Sequence, residues 1–326
     1  MTTHASTPWR GTLSRVFLFL AQSLGRFVLV IWGAATAGFV ALRLIPGDPV
    51  DVMLGVQARV SESVRAQIRL EWGLDEPLIT QYFLYLGRLI QGDLGVSYQL
   101  RTPVVDVLAQ QALPTLQLAA GAIFLATLFA LGGALFGRGA RLKKAVSVAE
   151  LIVISSPTYW IGLLLLAVFS LQLGWFPVTG AQGISSLVLP SLTLALPVAG
   201  IVSQVLRHGL DAAEGQPFAM TARSRGVSPS ALVRRHSLRH AAMDALTLGG
   251  YLVGSLLGGA VLVETVFARP GLGQVAIRAI VGRDFPVILG IIVVGAVVFA
   301  LVNLAVDLSY RTLDPRLRRV SVETRS

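Results

Sequence analysis

The chain has 326 residues, 54% hydrophobic and only 13% charged, whereas an ordinary soluble domain carries about 25% charged residues. That balance points away from a soluble enzyme and towards a membrane protein. With no cysteine, disulfides, a thiolate nucleophile and cysteine metal sites are excluded; the net charge of +10 leaves a nucleic-acid role to be weighed against where the basic residues lie.

Residues 12–24 set Arg15 and Gln22 among apolar residues, a pattern that fits a short interfacial helix or an early start to a membrane span. The apolar run at about 25–45 is long enough to cross a bilayer core. It continues to Ile45 and ends in Pro46-Gly47-Asp48-Pro49, so it is expected to be a retained first span. Residues 46–111 are the one sizeable polar region. Ser61-Glu62-Ser63 starts a helix and Gly73 stops it; Asp75-Glu76-Pro77 opens a second helix that stops at Gly92. This region is expected to form a helical cap over the outer ends of the spans or a docking surface for an external partner.

Five more apolar runs follow, at about 112–137, 147–173, 187–206, 245–267 and 286–310. The expectation is an all-α membrane protein with six transmembrane helices. Its parts are an N-terminal segment (1–26), a first span (27–45), the insertion (46–111), a five-helix core (112–310) with a long polar loop (207–244), and a tail (311–326). Placing the N-terminus inside puts 18 of the 27 Lys and Arg residues on the inner side, including Arg138, Arg141, Lys143 and Lys144. Basic residues beside membrane spans set topology and meet anionic headgroups, which speaks against nucleic acid.

Pro190 and Pro197 share one face of the fourth span, where a proline is tolerated if neighbours re-satisfy the freed carbonyls. Gly250, Gly254 and Gly258, followed by Gly259, form a close-packing face on the fifth span. It fits another span of this chain or a second membrane subunit. In the loop, Phe218-Ala219-Met220-Thr221-Ala222-Arg223-Ser224-Arg225 reads as a short helix. Gly226 can end it in the left-handed conformation, and Ser228-Pro229 can cap and start the next helix. Phe218 and Met220 are expected to supply an apolar footing, and Arg223 and Arg225 to suit an acidic or polar groove.

Thr221 to Gly226 resembles the cytoplasmic coupling loop of bacterial binding-protein-dependent ABC importer permeases. More narrowly, it resembles the first (B-type) permease subunit of the dipeptide/oligopeptide/nickel importers. The resemblance extends over nearly the whole chain. It includes Arg43-Leu44-Ile45-Pro46-Gly47-Asp48-Pro49, Gly73-Leu74-Asp75-Glu76-Pro77, Gln81-Tyr82 and Gly92-Asp93-Leu94-Gly95. It continues with Ser156-Pro157-Thr158-Tyr159-Trp160, Leu173-Gly174-Trp175-Phe176-Pro177 and Leu189-Pro190-Ser191-Leu192. It ends with Val263-Glu264, Pro270-Gly271-Leu272-Gly273, Leu301-Val302-Asn303-Leu304, Val306-Asp307-Leu308 and Leu313-Asp314-Pro315-Arg316. Two departures stand out: Thr221-Ala222-Arg223 replaces the wider superfamily's Glu-Ala-Ala, and Met243-Asp244 replaces the usual Leu-Pro after the loop.

The resemblance implies a type I importer permease fold and alternating access in a bacterial inner membrane, with both termini cytoplasmic. The implied partners are a homologous second permease, two ATP-binding cassette ATPases, an extracytoplasmic binding protein and membrane lipid. Phe218, Met220, Thr221, Ala222, Arg223, Arg225 and Gly226 would couple to the ATPases, and ATP and Mg2+ would be bound by those partners. Lys143 and Lys144 are the only lysines, and neither stands in a G-x-x-x-x-G-K-[ST] motif, so no cofactor is expected on this chain. Dipeptides or short oligopeptides are the implied cargo, with nickel chelate, glutathione or haem as alternatives.

Other candidates are weaker. His236 and His240 are four residues apart, but no general-base Glu lies between them and no third ligand is evident. Gly271-Leu272-Gly273 follows no strand, and Ser155, Ser156 and Ser203 have no His-Asp set to activate them. Glu264, near the outer end of the fifth span, could face the pathway, reach the interface or pair with Arg269; a structural or gating role is favoured. Asn303 and Asp307 share a face of the sixth span and are pathway candidates, while the plainer expectation for Asp307 is an ion pair with Arg311. A membrane-embedded enzyme would need clustered His, Asp or Glu at one depth. An ion-gradient transporter would need inverted repeats and broken mid-membrane helices. Neither pattern is evident.

Overall fold

A computed structural model describes residues 9–44, 50, 61–71, 75–136, 140–180, 183–233 and 237–313. Pro46 to Pro49, Gly73, Leu74, Arg138, His236 and Asp314 to Arg316 lie outside the described residues, as do the side chains of His240 and Arg311.

The first helix, α1 (Trp9–Leu44), runs without a break, so residues 12–24 extend the first span rather than forming a separate helix. Two short helices follow: α2 (Glu62–Glu71), whose first turn is closed on the Ser61 carbonyl, and α3 (Leu78–Ile90), which starts after Pro77. Gly92 leaves α3 at φ +77°, a conformation open to glycine without a Cβ penalty. The aromatic face of α3 lies on the end of α1. Phe39 meets Tyr82 edge-on and stacks on Tyr85, and the Thr36 and Tyr82 hydroxyls are 2.8 Å apart. Burial pushes the Tyr85 phenol up to about 12, and the Arg43 guanidinium lies 5.3 Å from the centre of the Phe39 ring.

The rest of the chain forms α4 (Val104–Phe136), α5 (Ala140–Ser155), α6 (Thr158–Leu165, continued by π-helical turns to Gln172) and α7 (Ser185–Glu214). Then come α8 (Pro217–Ser224), α9 (Pro229–Leu232), α10 (Leu238–Val266), α11 (Leu272–Val281) and α12 (Phe285–Leu313). Among the described residues the architecture is all-helical, with one isolated bridge between Val96 and Pro103.

Among the described residues five helices are individually long and apolar enough to span a bilayer. The third expected span is not one helix: α5 and α6 meet at 108°. Pro157 has no N–H to continue the helix, and it disfavours helical geometry at Ser156. The direction of the neighbouring helices shows that this bent pair still crosses the bundle. Leu118 and Ala122 of α4 cluster with Leu189 and Leu194 of α7, while Ala130 and Ala134 cluster with Leu206 and Leu210. Helices α4 and α7 therefore run parallel, and α5–α6 carries the chain back from the end of one to the start of the other. Among the described residues the count is six crossings, with the bent pair taken as one broken span.

Helix α7 is the central element. It packs along α4 and α10 and also touches α5 and α6, and half of its apolar window is buried, against 11% for α1. Both Pro190 and Pro197 lie inside it, and it continues through them to Glu214. Close approach to α4 comes from small residues: a Cβ on Gly121 would meet Ser191 Oγ at 2.5 Å, and one on Gly133 would meet Ser203 Oγ at 2.4 Å. Helix α1 packs on α12, with Gly38 against Leu289 and Ile292. One end of the bundle thus carries α2, α3, α11 and the Gln91–Pro103 loop; the opposite end carries α8 and α9.

Candidate functional site

Helix α7 runs directly into the exposed loop that the sequence marks as its most specific feature. Pro217 takes the first turn of α8, where its missing N–H costs no intrahelical bond. At the other end Gly226 adopts φ +77°, the Val227 N–H reaches the Ala222 carbonyl at 3.1 Å, and the Gly226 N–H reaches Arg223 at 2.9 Å. This pair of bonds closes the helix in the manner expected of a left-handed C′ glycine. Ser228 Oγ accepts the Ala231 N–H at 3.4 Å, and Pro229 starts α9.

The footing of α8 differs from expectation. Ala219 is fully buried and Phe218 half-buried, whereas Met220 is 75% exposed. Successive residues turn about 100° around a helix, so burying Ala219 rotates Met220 outward. Arg223 lies 3.6 Å from Glu214 at the end of α7, and Thr221 Oγ1 donates to the Pro217 carbonyl. Thr221, Arg223 and Arg225 are exposed, and Ala222 is half-buried. The outer surface of α8 therefore presents one long apolar side chain among basic and hydroxyl groups.

At the opposite end, Glu264 has no exposed surface. Its carboxylate accepts the Thr115 hydroxyl at 2.6 Å and the backbone N–H groups of Gly273 at 2.8 Å and Gln274 at 3.3 Å. Those N–H groups open α11, so the acid sits on the positive end of a helix and ties α4, α10 and α11 together. The glycines of Gly271-Leu272-Gly273 are needed for this contact, because a Cβ on either would fall within 2.8 Å of the carboxylate. Arg269, also buried, makes no ion pair with Glu264 among the described residues; its Nη2 points to Gln117 Oε1 at 3.4 Å. Burial holds the Arg269 guanidinium below its ordinary value, and the Glu264 charge opposes that shift.

The remaining candidates are dispersed. A Cβ on Gly250 would strike Val306 at 2.5 Å and one on Gly254 would strike Phe299 at 2.7 Å, so both lie against α12 of the same chain. Gly259 faces Leu194 of α7, whereas Gly258 is open on its outer side. Asn303 donates to the Phe299 carbonyl of its own helix. Asp307 accepts from Arg26 of α1 at 3.3 Å, across the helix pair. Among the described residues there is no group of three His, Cys, Asp or Glu side chains placed to hold a metal.

One buried pair was not singled out from the sequence. Glu150 on α5 and Arg207 on α7 are 6% and 8% exposed and meet through both carboxylate oxygens, with Arg207 Nη1 3.2 Å from Oε1 and Nη2 on Oε2. An acid inside an apolar run and an arginine 57 residues later were the available signals. Arg207 lies two turns before the end of α7, so this bidentate pair anchors the stem that carries α8.

Residues 122–319 match the family described as the binding-protein-dependent transport system inner membrane component. The glutathione transport system permease protein GsiC of Escherichia coli (strain K12) is 36% identical over 288 residues, covering 86% of this chain and 92% of that protein. The di/tripeptide transport system permease protein DppB of Pseudomonas aeruginosa (strain UCBPP-PA14) is 35% identical, covering 92% of this chain and 98% of that one. Among solved structures, an inward-facing form of the MetNI methionine ABC transporter superposes with a TM-score of 0.54 at 19% identity, covering 64% of this chain and 96% of that one. That likeness concerns the fold, and the sequence matches carry the family. The chain belongs to the binding-protein-dependent transport system inner membrane components, the permeases of ABC importers.

Proposed function

We propose that this permease imports short peptides into a bacterial cell, working by alternating access with a second permease, two ATPase subunits and an extracytoplasmic binding protein. The observation that carries the coupling is α8: a capped, exposed helix at the end of the most buried span. Closure of an ATPase dimer against Phe218–Gly226 would be transmitted through Glu214 and Arg207 into the bundle. The basic residues flanking that end support a cytoplasmic position for it and for both termini. The segment from α2 to the Gln91–Pro103 loop then faces outward.

The Pseudomonas relative supports di- and tripeptides as cargo, and the Escherichia coli relative supports glutathione, itself a tripeptide; both readings place an ammonium and carboxylates on the cargo. Uptake of labelled dipeptide and glutathione is measured in cells lacking the chain and in cells restored with wild type or Gly226→Pro. Proline has φ fixed near −65° and cannot adopt the +77° of Gly226. The expected result is uptake of at least one cargo that is lost on deletion, restored by wild type and absent with the variant, although the variant reaches the membrane. Full uptake by the variant would overturn the coupling role, and uptake of both cargoes unchanged by deletion would overturn the peptide reading.

A further inference from the structure

A cavity of about 770 Å³ opens at the α11 end of the bundle, between the start of α4, the Gln91–Pro103 loop and α11. Its volume is that of a small-molecule site. Val275, Ala279 and Val287 form a buried apolar floor. Asp106 and Gln110, one turn apart on α4, line it together with Arg278 of α11.

The charges lining this cavity are not spent on each other. Among the described residues Asp106 and Arg278 form no ion pair, either together or with a third group. Arg278 meets only Gln274 of its own helix, with both contacts at 3.4 Å. The second acid on the wall, Asp284, is fully engaged: it accepts the Ser97 hydroxyl and the Tyr98 and Gln99 N–H groups, which fixes the loop. Gln111, also lining the cavity, has a buried Oε1 without a hydrogen-bond partner. One cavity therefore presents a carboxylate and a guanidinium without ion-pair partners and an apolar floor. A molecule with separated ammonium and carboxylate groups and an apolar side chain complements all three.

We infer that this cavity is a receiving subsite for zwitterionic short peptides, with the ammonium at Asp106, the terminal carboxylate at Arg278 and an apolar side chain on the Val275–Val287 floor. The inference rests on the peptide-import reading and adds which groups of this chain meet the cargo first. The receiving wall is tied to the span behind it, because α11 is held by Glu264 of α10. Occupation of the subsite would thus be felt by the bundle.

The test uses the complex of both permeases and both ATPases in nanodiscs, without binding protein, and measures binding of radiolabelled dileucine. A charge-assisted contact of this kind corresponds to about tenfold in affinity. Dileucine is expected to bind, and N-acetyl and C-amide dileucine to bind about tenfold more weakly each. Asp106→Asn should abolish the penalty for acetylation only, and Arg278→Gln the penalty for amidation only. Equal binding of free and blocked peptides, uniform weakening by both variants, or no binding of dileucine would each overturn the subsite. Import by the same complex, with binding protein supplied, separates the two claims. Import without the predicted binding pattern leaves the function standing and removes the subsite. Import of neither dileucine nor glutathione removes the functional reading, while the binding arm still decides the subsite.

Discussion

Glu150 and Glu264 are both buried, at 6% and 0% exposure, on helices that pack against α7, yet they are neutralised by different chemistry. Glu264 is met by backbone N–H groups and a threonine hydroxyl. Its donors belong to a helix terminus, so they keep their places relative to that helix. Glu150 is met by a guanidinium at the end of a long side chain. That partner can follow a small shift of α7 against α5 without releasing the carboxylate. The first arrangement suits an end of the bundle that must hold a fixed wall, and the second suits the stem that leads to α8.

The largest expected effect comes from breaking the ion pair on one side only. Arg207→Met leaves a carboxylate buried and unpaired, which costs about 3–5 kcal/mol. Replacing both partners, with Glu150→Leu added, removes the stranded charge and should recover most of the loss. Thermal unfolding of the detergent-purified chain reads both, and a double variant no more stable than Arg207→Met would refute the pairing. Glu264→Gln is expected to cost less, about 1–3 kcal/mol, because the amide oxygen can keep the two N–H donors of α11 while the NH2 group replaces the oxygen that accepts from Thr115 and the charge at the helix terminus is lost. The same melts test this, and proteolysis should show α11 cut faster while α8 is unchanged.

The helical class was legible because apolar runs of bilayer length leave little choice of fold. The capped α8 was legible because Gly226, Ser228 and Pro229 act locally, through φ and through first-turn bonds. The break in the third crossing was written in Ser156-Pro157, but it sits inside an unbroken apolar run, where hydropathy outweighs it. The partners of the buried charges were not legible. Glu264 could be flagged as an intramembrane acid, but its donors at Gly273 and Gln274 become neighbours only when α11 folds back on α10. Arg26 and Asp307 are 281 residues apart and meet only through the packing of α1 on α12, which no local spacing encodes.

The glycine stripe gives the finest version of the comparison, because its members share a helix face in sequence but not an environment. At Gly250 a new Cβ would lie 2.5 Å from Val306 Cγ2, and a β-branched side chain has few rotamers into which it can yield. Gly250→Ala should therefore separate α10 from α12 at a cost of about 1–3 kcal/mol, in spite of the gain in helix propensity. At Gly258 a new Cβ meets nothing within 4 Å, so only the propensity term remains, a stabilisation of at most about 1 kcal/mol. Melts of the purified single chain should show this opposite sign. The same two variants assembled with the proposed second permease extend the test: Gly250→Ala should weaken the chain in either state, because its contact lies within one subunit. A Gly258→Ala chain that is stable alone but no longer co-purifies with the second permease would place that open position at the subunit interface. Unchanged co-purification would place it against lipid.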